Sequence, residues 1–189
     1  MNTGSGKKLP EMSLEELWQL FPIILTENKE VWSIWYQEEK EILESLLPKD
    51  VVIHHIGSTA INGIWAKPIV DILIEVPSEN DLLVAKDILV SNGYICMCQD
   101  KARISLNKGY TENGFAEKVF HIHLHLNGDH DEIIFRDYLN QHPDTAEAYE
   151  KLKLGLWKKY EHDRDGYTLA KMDFVTAVVK TAKEKAIKE

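Results

Sequence analysis

A carboxylate near the start of a nearly continuous apolar run constrains this sequence more than any other feature. Residues 69–76 read Ile-Val-Asp-Ile-Leu-Ile-Glu-Val, a composition typical of a buried strand, yet Asp71 stands near its start. A carboxylate in that position is costly unless it is paired, hydrogen-bonded or bound to a cation. The β-branched segment 51–56 runs into Gly57-Ser58, and a short turn-rich segment joins it to the Asp71 strand. The sequence therefore predicts that a Gly-Ser turn and Asp71 share one cleft.

The turn itself has the composition of a phosphate-binding loop. Gly57 permits close approach of the backbone, and the N–H groups at a helix start can donate to a phosphate together with the Ser58 hydroxyl. Thr59 follows in the same turn, and Lys67 lies four residues before Asp71, where its amine can meet a phosphate or the carboxylate. The alternative interpretation is structural: Ser58 caps a helix, and Asp71 forms a salt bridge with a lysine.

Three histidines alternate with apolar residues in the predicted strand 120–126. His121, His123 and His125 therefore lie on one face, with neighbouring Cα atoms roughly 6.5–7 Å apart. Two imidazoles at i and i+2 can hold one zinc ion. The same pattern also occurs as a solvated or hydrogen-bonded sheet face. We expect at least one of the three to line the cleft of Asp71, and His123 is the candidate ligand because it is central; if the sheet places it beside Asp71, the pair can hold a metal ion.

Charge and composition exclude several classes of partner. Acidic residues outnumber basic ones by 31 to 22, giving a net charge of −9. Such a chain is not expected to bind extended nucleic acid or an anionic membrane, since positive charge dominates those affinities. A small basic pocket for a phosphorylated ligand remains compatible with this balance.

The two cysteines and the N-terminus bear on the compartment. Cys96 and Cys98 are too close in sequence to bridge comfortably and lack Cys-x-x-Cys spacing, so we expect both to be reduced. The first residues lack the apolar core of a signal peptide, and no apolar run reaches the ~20 residues that span a membrane. We therefore expect a cytoplasmic protein.

The order of predicted elements indicates an α/β (α+β) fold. Helices are expected at 13–21, 28–47 and 78–92 and over most of the chain after residue 131, and strands at 51–56, 69–76, 94–98, 103–106 and 120–126. Residues 1–12 are polar and glycine-rich and are expected to form a flexible tail. Residues 13–189 are expected to form a single domain, since no interior linker or repeat interrupts them.

The segment from His55 to Ile72 resembles the signature of the GrpB family. It reads His-Ile-Gly-Ser-Thr-Ala-Ile-Asn-Gly-Ile-Trp-Ala-Lys-Pro-Ile-Val-Asp-Ile, and the resemblance continues at Phe135-Arg-Asp-Tyr-Leu, in the pair Tyr149 and Lys153, and in Tyr167 with Lys171. It covers about residues 22 to 185. The family is similar to the nucleotidyltransferase superfamily, which implies a mixed sheet flanked by helices.

The resemblance also assigns roles to particular residues. In that superfamily a Gly-Ser loop holds nucleotide phosphates, and a strand with Asp-x-Asp or Asp-x-Glu binds magnesium. Gly57, Ser58 and Asp71 match these elements, but Leu73 occupies the position of the second carboxylate. Glu75 lies on the same face, yet four residues along a strand span roughly 13 Å, too far for Asp71 and Glu75 to share one ion.

Two functions of different classes follow, and the sequence does not decide whether the chain is an enzyme. The first is a metal-dependent nucleotidyl or phosphoryl transferase that acts on a small substrate. Its catalytic residues are Asp71 and Lys67, its phosphate- or nucleotide-binding residues are Gly57, Ser58, Thr59, Lys67 and Arg136, and its metal ligands are Asp71 and His123. The cofactor is a divalent cation, Mg²⁺ or Mn²⁺, with Zn²⁺ as the alternative. The second is a non-catalytic module that binds a nucleotide or a protein and has lost the second metal carboxylate.

Overall fold

The structure, a computed structural model, describes residues 7–128 and 130–187. The helices are α1 (Leu14–Leu20), α2 (Val31–Leu46), α3 (Glu79–Ser91), α4 (Asp131–Gln141), α5 (Pro143–Trp157) and α6 (Arg164–Ala186), and the strands are β1 (Val52–Ile56), β2 (Val70–Val76), β3 (Ile95–Gln99), β4 (Arg103–Thr111) and β5 (Gly114–Leu126). Of the expected tail, residues 1–6 lie outside the described residues, and Leu9–Glu11 form one 3₁₀ turn. No helix in the described ranges is both long and apolar enough to cross a bilayer.

The five strands form one mixed sheet in the order β1-β2-β5-β4-β3. β2 runs parallel to β5, while β1 pairs with β2, β4 with β5 and β3 with β4 in antiparallel fashion. Helices flank this sheet, so the predicted fold class is confirmed. The strands expected at 51–56, 69–76 and 120–126 are neighbours within the sheet, which places the Gly-Ser turn, Asp71 and the histidine strand side by side.

The two faces of the sheet differ in chemistry because side chains alternate along each strand. One face carries fully buried residues such as Ile72, Ile74, Ile122 and Leu124, which pack with α2 and α3 into the main core. Each such side chain contributes roughly 1.5–3 kcal/mol through burial. The opposite face of β2 and β5 carries Asp71, Leu73 and Glu75 beside the three histidines of the predicted metal face. The main core and the ionisable groups of β2 and β5 therefore lie on opposite faces of the sheet.

The largest departure from the predicted elements is the length of the β4–β5 hairpin. The sequence predicts strands only at 103–106 and 120–126, whereas β4 continues to Thr111 and β5 begins at Gly114. The signal was Asn113-Gly114, a dipeptide that favours tight hairpins, and Gly114 has a φ of 104° that glycine adopts without penalty. The extension matters for function because Asn107 and Tyr110, both near Asp71, belong to it.

Candidate active site: a cationic cleft on the histidine face of the sheet

A cleft of about 520 Å³ opens on the histidine face. Its floor is the sheet, one rim is the Gly57-Ser58 turn, and the opposite walls come from α1, α5 and α6. This volume is in the range that small-molecule sites occupy. Of the residues predicted from sequence, the cleft brings together Gly57, Ser58, Lys67, Asp71 and His123.

Gly57 holds the turn against Asp71. Its backbone lies at φ 71° and ψ −173°, a region essentially restricted to glycine. A Cβ atom at this position would collide with the Asp71 carboxylate. The glycine is therefore required both by its backbone conformation and by the close approach of Asp71, whereas the sequence predicted only a role in the approach of a phosphate.

Asp71 lies between two imidazoles of the neighbouring strand. In the parallel register Asp71 is directly opposite His121, and His123 follows two residues later on the same face. The Asp71 Oδ1 atom is 3.2 Å from His121 Nδ1 and 3.4 Å from His123 Nε2. Among the ion pairs of the described residues, Asp71 contacts these two histidines and not Lys67. The salt bridge with Lys67 that the sequence left open is therefore not formed.

These contacts set the charge state of the group. Burial alone would raise the pKa of Asp71, but its hydrogen bonds to His121 and His123 outweigh burial and hold that pKa well below its usual range. Burial lowers the pKa of His121 despite the adjacent carboxylate. The three side chains present one carboxylate oxygen and two imidazole nitrogens, and these atoms lie within 4.8 Å of one another. Such a set can hold one cation.

Four cationic side chains surround the same space. Lys67 was predicted, whereas Lys153 comes from α5, and Arg164 and Lys171 come from α6. Burial, reinforced by the neighbouring cations, lowers the pKa of Lys67 and of Lys153 to about 7, and burial lowers that of Lys171 to about 8. This concentration of desolvated positive charge in a chain of net charge −9 favours an anionic ligand.

Two of these lysines, Lys153 and Lys171, belong to a recognisable sequence pattern, but their position in the cleft was not predicted. Tyr149 with Lys153, and Tyr167 with Lys171, are spaced four residues apart on their helices, so each lysine lies over the ring of its tyrosine. Lys153 is 2% exposed and donates to the Trp65 carbonyl. A buried lysine four residues after a buried tyrosine on a helix indicates an amine that packing holds in a fixed position.

Two predicted phosphate-binding residues are not brought into the cleft. Thr59 is buried inside the turn, where its hydroxyl lies 3.0 Å from His55 Nε2 and donates to the Ile69 carbonyl. Arg136 donates from Nη1 to the His55 carbonyl at 2.7 Å and pairs with Asp137. Neither side chain is among the residues that line the cleft, and both brace the turn from behind.

One wall of the cleft is apolar. It is formed by Leu14, Leu17 and Trp18 of α1 together with Met97 of the edge strand β3. α1 begins with a capping box at Ser13 and Glu16, which defines its first residue locally. A ligand in this cleft therefore meets charge on one side and hydrocarbon on the other.

The matches to known proteins agree with the signature found in the sequence. Residues 22–181 match the family described as GrpB protein, which is well over half of the chain. The chain belongs to the GrpB family.

Relatives and solved structures extend this match. The chain is 35% identical to the glutamate-rich protein GrpB of Alkalihalophilus pseudofirmus over 164 residues, which are 83% of this chain and 94% of that protein. The crystal structure of a conserved GrpB protein from Enterococcus faecalis is similar with a TM-score of 0.73 at 28% identity, covering 86% of this chain and 99% of that one. One crystal structure of the Cid1 poly(U) polymerase aligns at 12% identity and a TM-score of 0.48, over 75% of this chain and 42% of that one.

Proposed function

We propose that this GrpB-family cleft binds the phosphate groups of a nucleotide or another phosphorylated small molecule, with a divalent cation at Asp71, and transfers a nucleotidyl or phosphoryl group. The observation that carries the proposal is the convergence of the Gly57-Ser58 turn, the Asp71–histidine group and four cationic side chains on one cleft. No one of these elements would distinguish a phosphate site from a structural feature. Together they supply hydrogen-bond donors, a cation site and neutralising charge.

The residues divide the work by position. Ser58 and the backbone of its turn donate to a phosphate, while Lys67, Lys171 and Arg164 neutralise its charge from the other side of the cleft. A cation at Asp71 would polarise a phosphoryl oxygen. The apolar wall around Trp18 accepts the uncharged part of the ligand, such as a nucleobase.

A specific observation favours the alternative, a non-catalytic binding module. Leu73, at the position of the second carboxylate, is fully buried and lies opposite His123. A two-metal clamp needs ions about 3.5–4 Å apart with ligands for both, and β2 supplies one carboxylate to this cleft. Under this reading the cleft binds the same phosphorylated ligand without turning it over. A cytoplasmic location, which the two free cysteines favour, belongs to the proposal in either form.

Ligand binding tests the proposal directly. Thermal and denaturant unfolding are measured with pyrophosphate and with the common nucleoside triphosphates, each with and without Mg²⁺, Mn²⁺ and Zn²⁺. A ligand that binds only the native state adds about 2.7 kcal/mol of stability at a hundred times its dissociation constant. Incubation with a stabilising triphosphate, followed by phosphorus NMR, separates the enzyme from the binding module.

A matched pair of lysine variants shows where the ligand binds. Lys171→Met removes a charge from the cleft, whereas Lys180→Met removes a charge from the same helix at a side chain that is 76% exposed. We expect only Lys171→Met to weaken binding. Absence of stabilisation by every phosphate compound with every cation would contradict the proposal, and so would equal effects of the two variants.

A further inference from the structure

The donor atoms at Asp71 do not match those that magnesium prefers. Mg²⁺ takes oxygen ligands and usually retains several waters, whereas imidazole nitrogen suits zinc and other first-row transition metals. Here two of the three converging donors are nitrogens, His121 Nδ1 and His123 Nε2, and only Asp71 supplies oxygen. The chemistry of the donor set therefore argues against a Mg²⁺ site built on this strand.

The distances agree with nitrogen coordination of one small ion. Zinc binds imidazole nitrogen and carboxylate oxygen at about 2.0–2.1 Å, so neighbouring donors in a tetrahedral site are about 3.3–3.4 Å apart. Asp71 Oδ1 is 3.2 Å from His121 Nδ1 and 3.4 Å from His123 Nε2. Two of the three donor–donor distances are therefore near the spacing that such an ion requires, and the third is within 4.8 Å.

The sheet register explains why histidine replaces the expected carboxylate. β2 and β5 are parallel and in register, so His121 is the partner of Asp71 and His123 is the partner of Leu73. The position at which β2 lacks a second acidic residue thus has an imidazole beside it on the next strand. The ligand set extends across two strands instead of along one.

A second hydrogen bond orients one of the imidazoles. Tyr110 Oη lies 2.7 Å from His121 Nε2, on the side of the ring away from Asp71. Metal-binding histidines usually donate their other ring N–H to such a partner, which fixes the tautomer and the ring orientation. With an ion in place of the Nδ1–H that Asp71 accepts, Nε2–H would donate to Tyr110 and Nδ1 would offer its lone pair to the ion.

The remaining carboxylate of β2 is already engaged. Glu75 Oε2 is 3.0 Å from His54 Nε2, and Glu75 Oε1 is 3.3 Å from His130 Nδ1. In the ranges that the structure describes, Asp71, His121 and His123 are the one group of three donors within reach of a common ion.

We propose that Asp71, His121 and His123 form a mononuclear transition-metal site, selective for Zn²⁺ and similar ions over Mg²⁺, with Tyr110 positioning His121. Three protein ligands leave coordination positions open, as in catalytic metal sites. The proposal deepens the function proposed above and rests on it, because Asp71, His121 and His123 line the cleft in which a phosphate would lie. It would make that function a single-metal reaction and not a two-magnesium one.

Metal titrations of the full chain, without any phosphate ligand, test the site by itself. Apoprotein prepared with a chelator is titrated with ZnCl₂, CoCl₂ and MgCl₂ separately, and the visible spectrum of the Co²⁺ form reports its coordination. We expect one equivalent of Zn²⁺ or Co²⁺ to bind, an intense Co²⁺ spectrum typical of low coordination number, and an affinity for Mg²⁺ lower by orders of magnitude. Binding of Mg²⁺ as tight as Zn²⁺, or no stoichiometric binding of Zn²⁺, would overturn the proposal.

Variants separate ligands from neighbouring histidines. Tyr110→Phe keeps the ring and removes the hydroxyl, so we expect Zn²⁺ affinity to fall about 10–100-fold. His121→Phe should lower it further, and the matched change His130→Phe should leave it unchanged because His130 contacts Glu75 and not Asp71. Unaltered Zn²⁺ binding by folded His121→Phe would disprove the ligand role.

The two proposals can fail separately. If pyrophosphate binds while the Zn²⁺ tests fail, only this inference falls. If Zn²⁺ binds as expected and no phosphate compound does, only the function proposed above falls.

Discussion

The two carboxylates of β2 stand in similar surroundings and are used differently. Asp71 and Glu75 lie on the same face of the strand, and each contacts two imidazoles within 3.4 Å. The side chain of Asp71 is 27% exposed and lines a cleft with cationic walls. That of Glu75 is 5% exposed and is not among the residues lining that cleft.

Solvent access, and not the identity of the partner residues, distinguishes the candidate site at Asp71 from the structural contact at Glu75. Glu75 joins β1, through His54, to the residue preceding α4, His130, and so connects the sheet to the helices that follow it. Asp71 has a comparable pair of partners, but both come from β5 and all three open toward free space. A buried pair contributes to folding, whereas an accessible group of donors can exchange its partners for an ion.

The largest effect on stability is expected at Gly57, where the absence of a Cβ makes room for the Asp71 carboxylate. Gly57→Ala imposes an unfavourable backbone conformation and a collision with the Asp71 carboxylate, so it should cost about 2–5 kcal/mol of unfolding free energy. Gly63→Ala is the matched control: its φ is 76°, but no atom lies within 4 Å of the added Cβ, and about 1 kcal/mol is expected. Denaturant unfolding compares the two. Equal losses of unfolding free energy would show that contact with Asp71 does not restrict the side chain at position 57.

Isosteric amides at the two carboxylates should differ in their effect on metal binding. Glu75→Gln places a buried amide where a charged acceptor was, and we expect a loss of about 1–3 kcal/mol with metal binding intact. Asp71→Asn removes a charge that hydrogen bonds from two imidazoles stabilise, so we expect a similar loss of about 1–3 kcal/mol in the apoprotein together with loss of Zn²⁺ binding. Unfolding with and without Zn²⁺ measures both. An Asp71→Asn protein that still responds to Zn²⁺, or a Glu75→Gln protein that does not, would reverse the assignment of the two groups.

Phosphate affinity should decrease as the pH rises. The pKa values of Lys67 and Lys153 are lowered to about 7 and that of Lys171 to about 8, while Arg164 stays charged. Because the lysines lose protons between pH 6.5 and 9, fewer positive charges face the anion at the higher pH, and binding at intermediate pH takes up protons. We expect pyrophosphate affinity to fall about tenfold or more over this range, on the order of 1.4 kcal/mol. Calorimetry in buffers of different ionisation enthalpy measures both quantities.

A variant of the same cleft provides the control for that pH dependence. Lys171→Arg retains a charge that does not titrate, so its affinity should depend less steeply on pH than that of the original protein. An affinity that rises with pH would contradict a cationic binding surface.

The smallest effect is expected at the rim of the Glu75 contact. His130 has a side chain that is 50% exposed, so His130→Phe should change stability by less than about 1 kcal/mol. The same substitution at His123, which is 31% exposed and faces Asp71, should also be tolerated in folding but should weaken Zn²⁺ binding. Thermal unfolding with and without Zn²⁺ distinguishes the two positions. Weakened Zn²⁺ binding by His130→Phe would show that Glu75 and Asp71 belong to one metal site.

Most of the elements were predictable because they depend on local patterns. The alternation in residues 120–126 placed three histidines on one face, and the apolar run around Asp71 identified a buried strand. The capping box at Ser13 located the start of α1. The prediction that Asp71 lies near a histidine also followed from the sequence, since both strands had to enter the same small sheet.

Partners that meet across long chain separations were decided by the tertiary structure. His123 was chosen as the ligand because it is central, but the register of β2 on β5 puts His121 opposite Asp71 as well, and no local pattern determines that register. Lys153 and Lys171 reach the cleft from helices far along the chain, and Arg136 is engaged by a backbone carbonyl that packing brings beside it. The sequence by itself determined which faces carry chemistry, because alternation is a property of each strand alone. The tertiary structure decided which of those groups meet, because strand register and helix packing depend on contacts throughout the core.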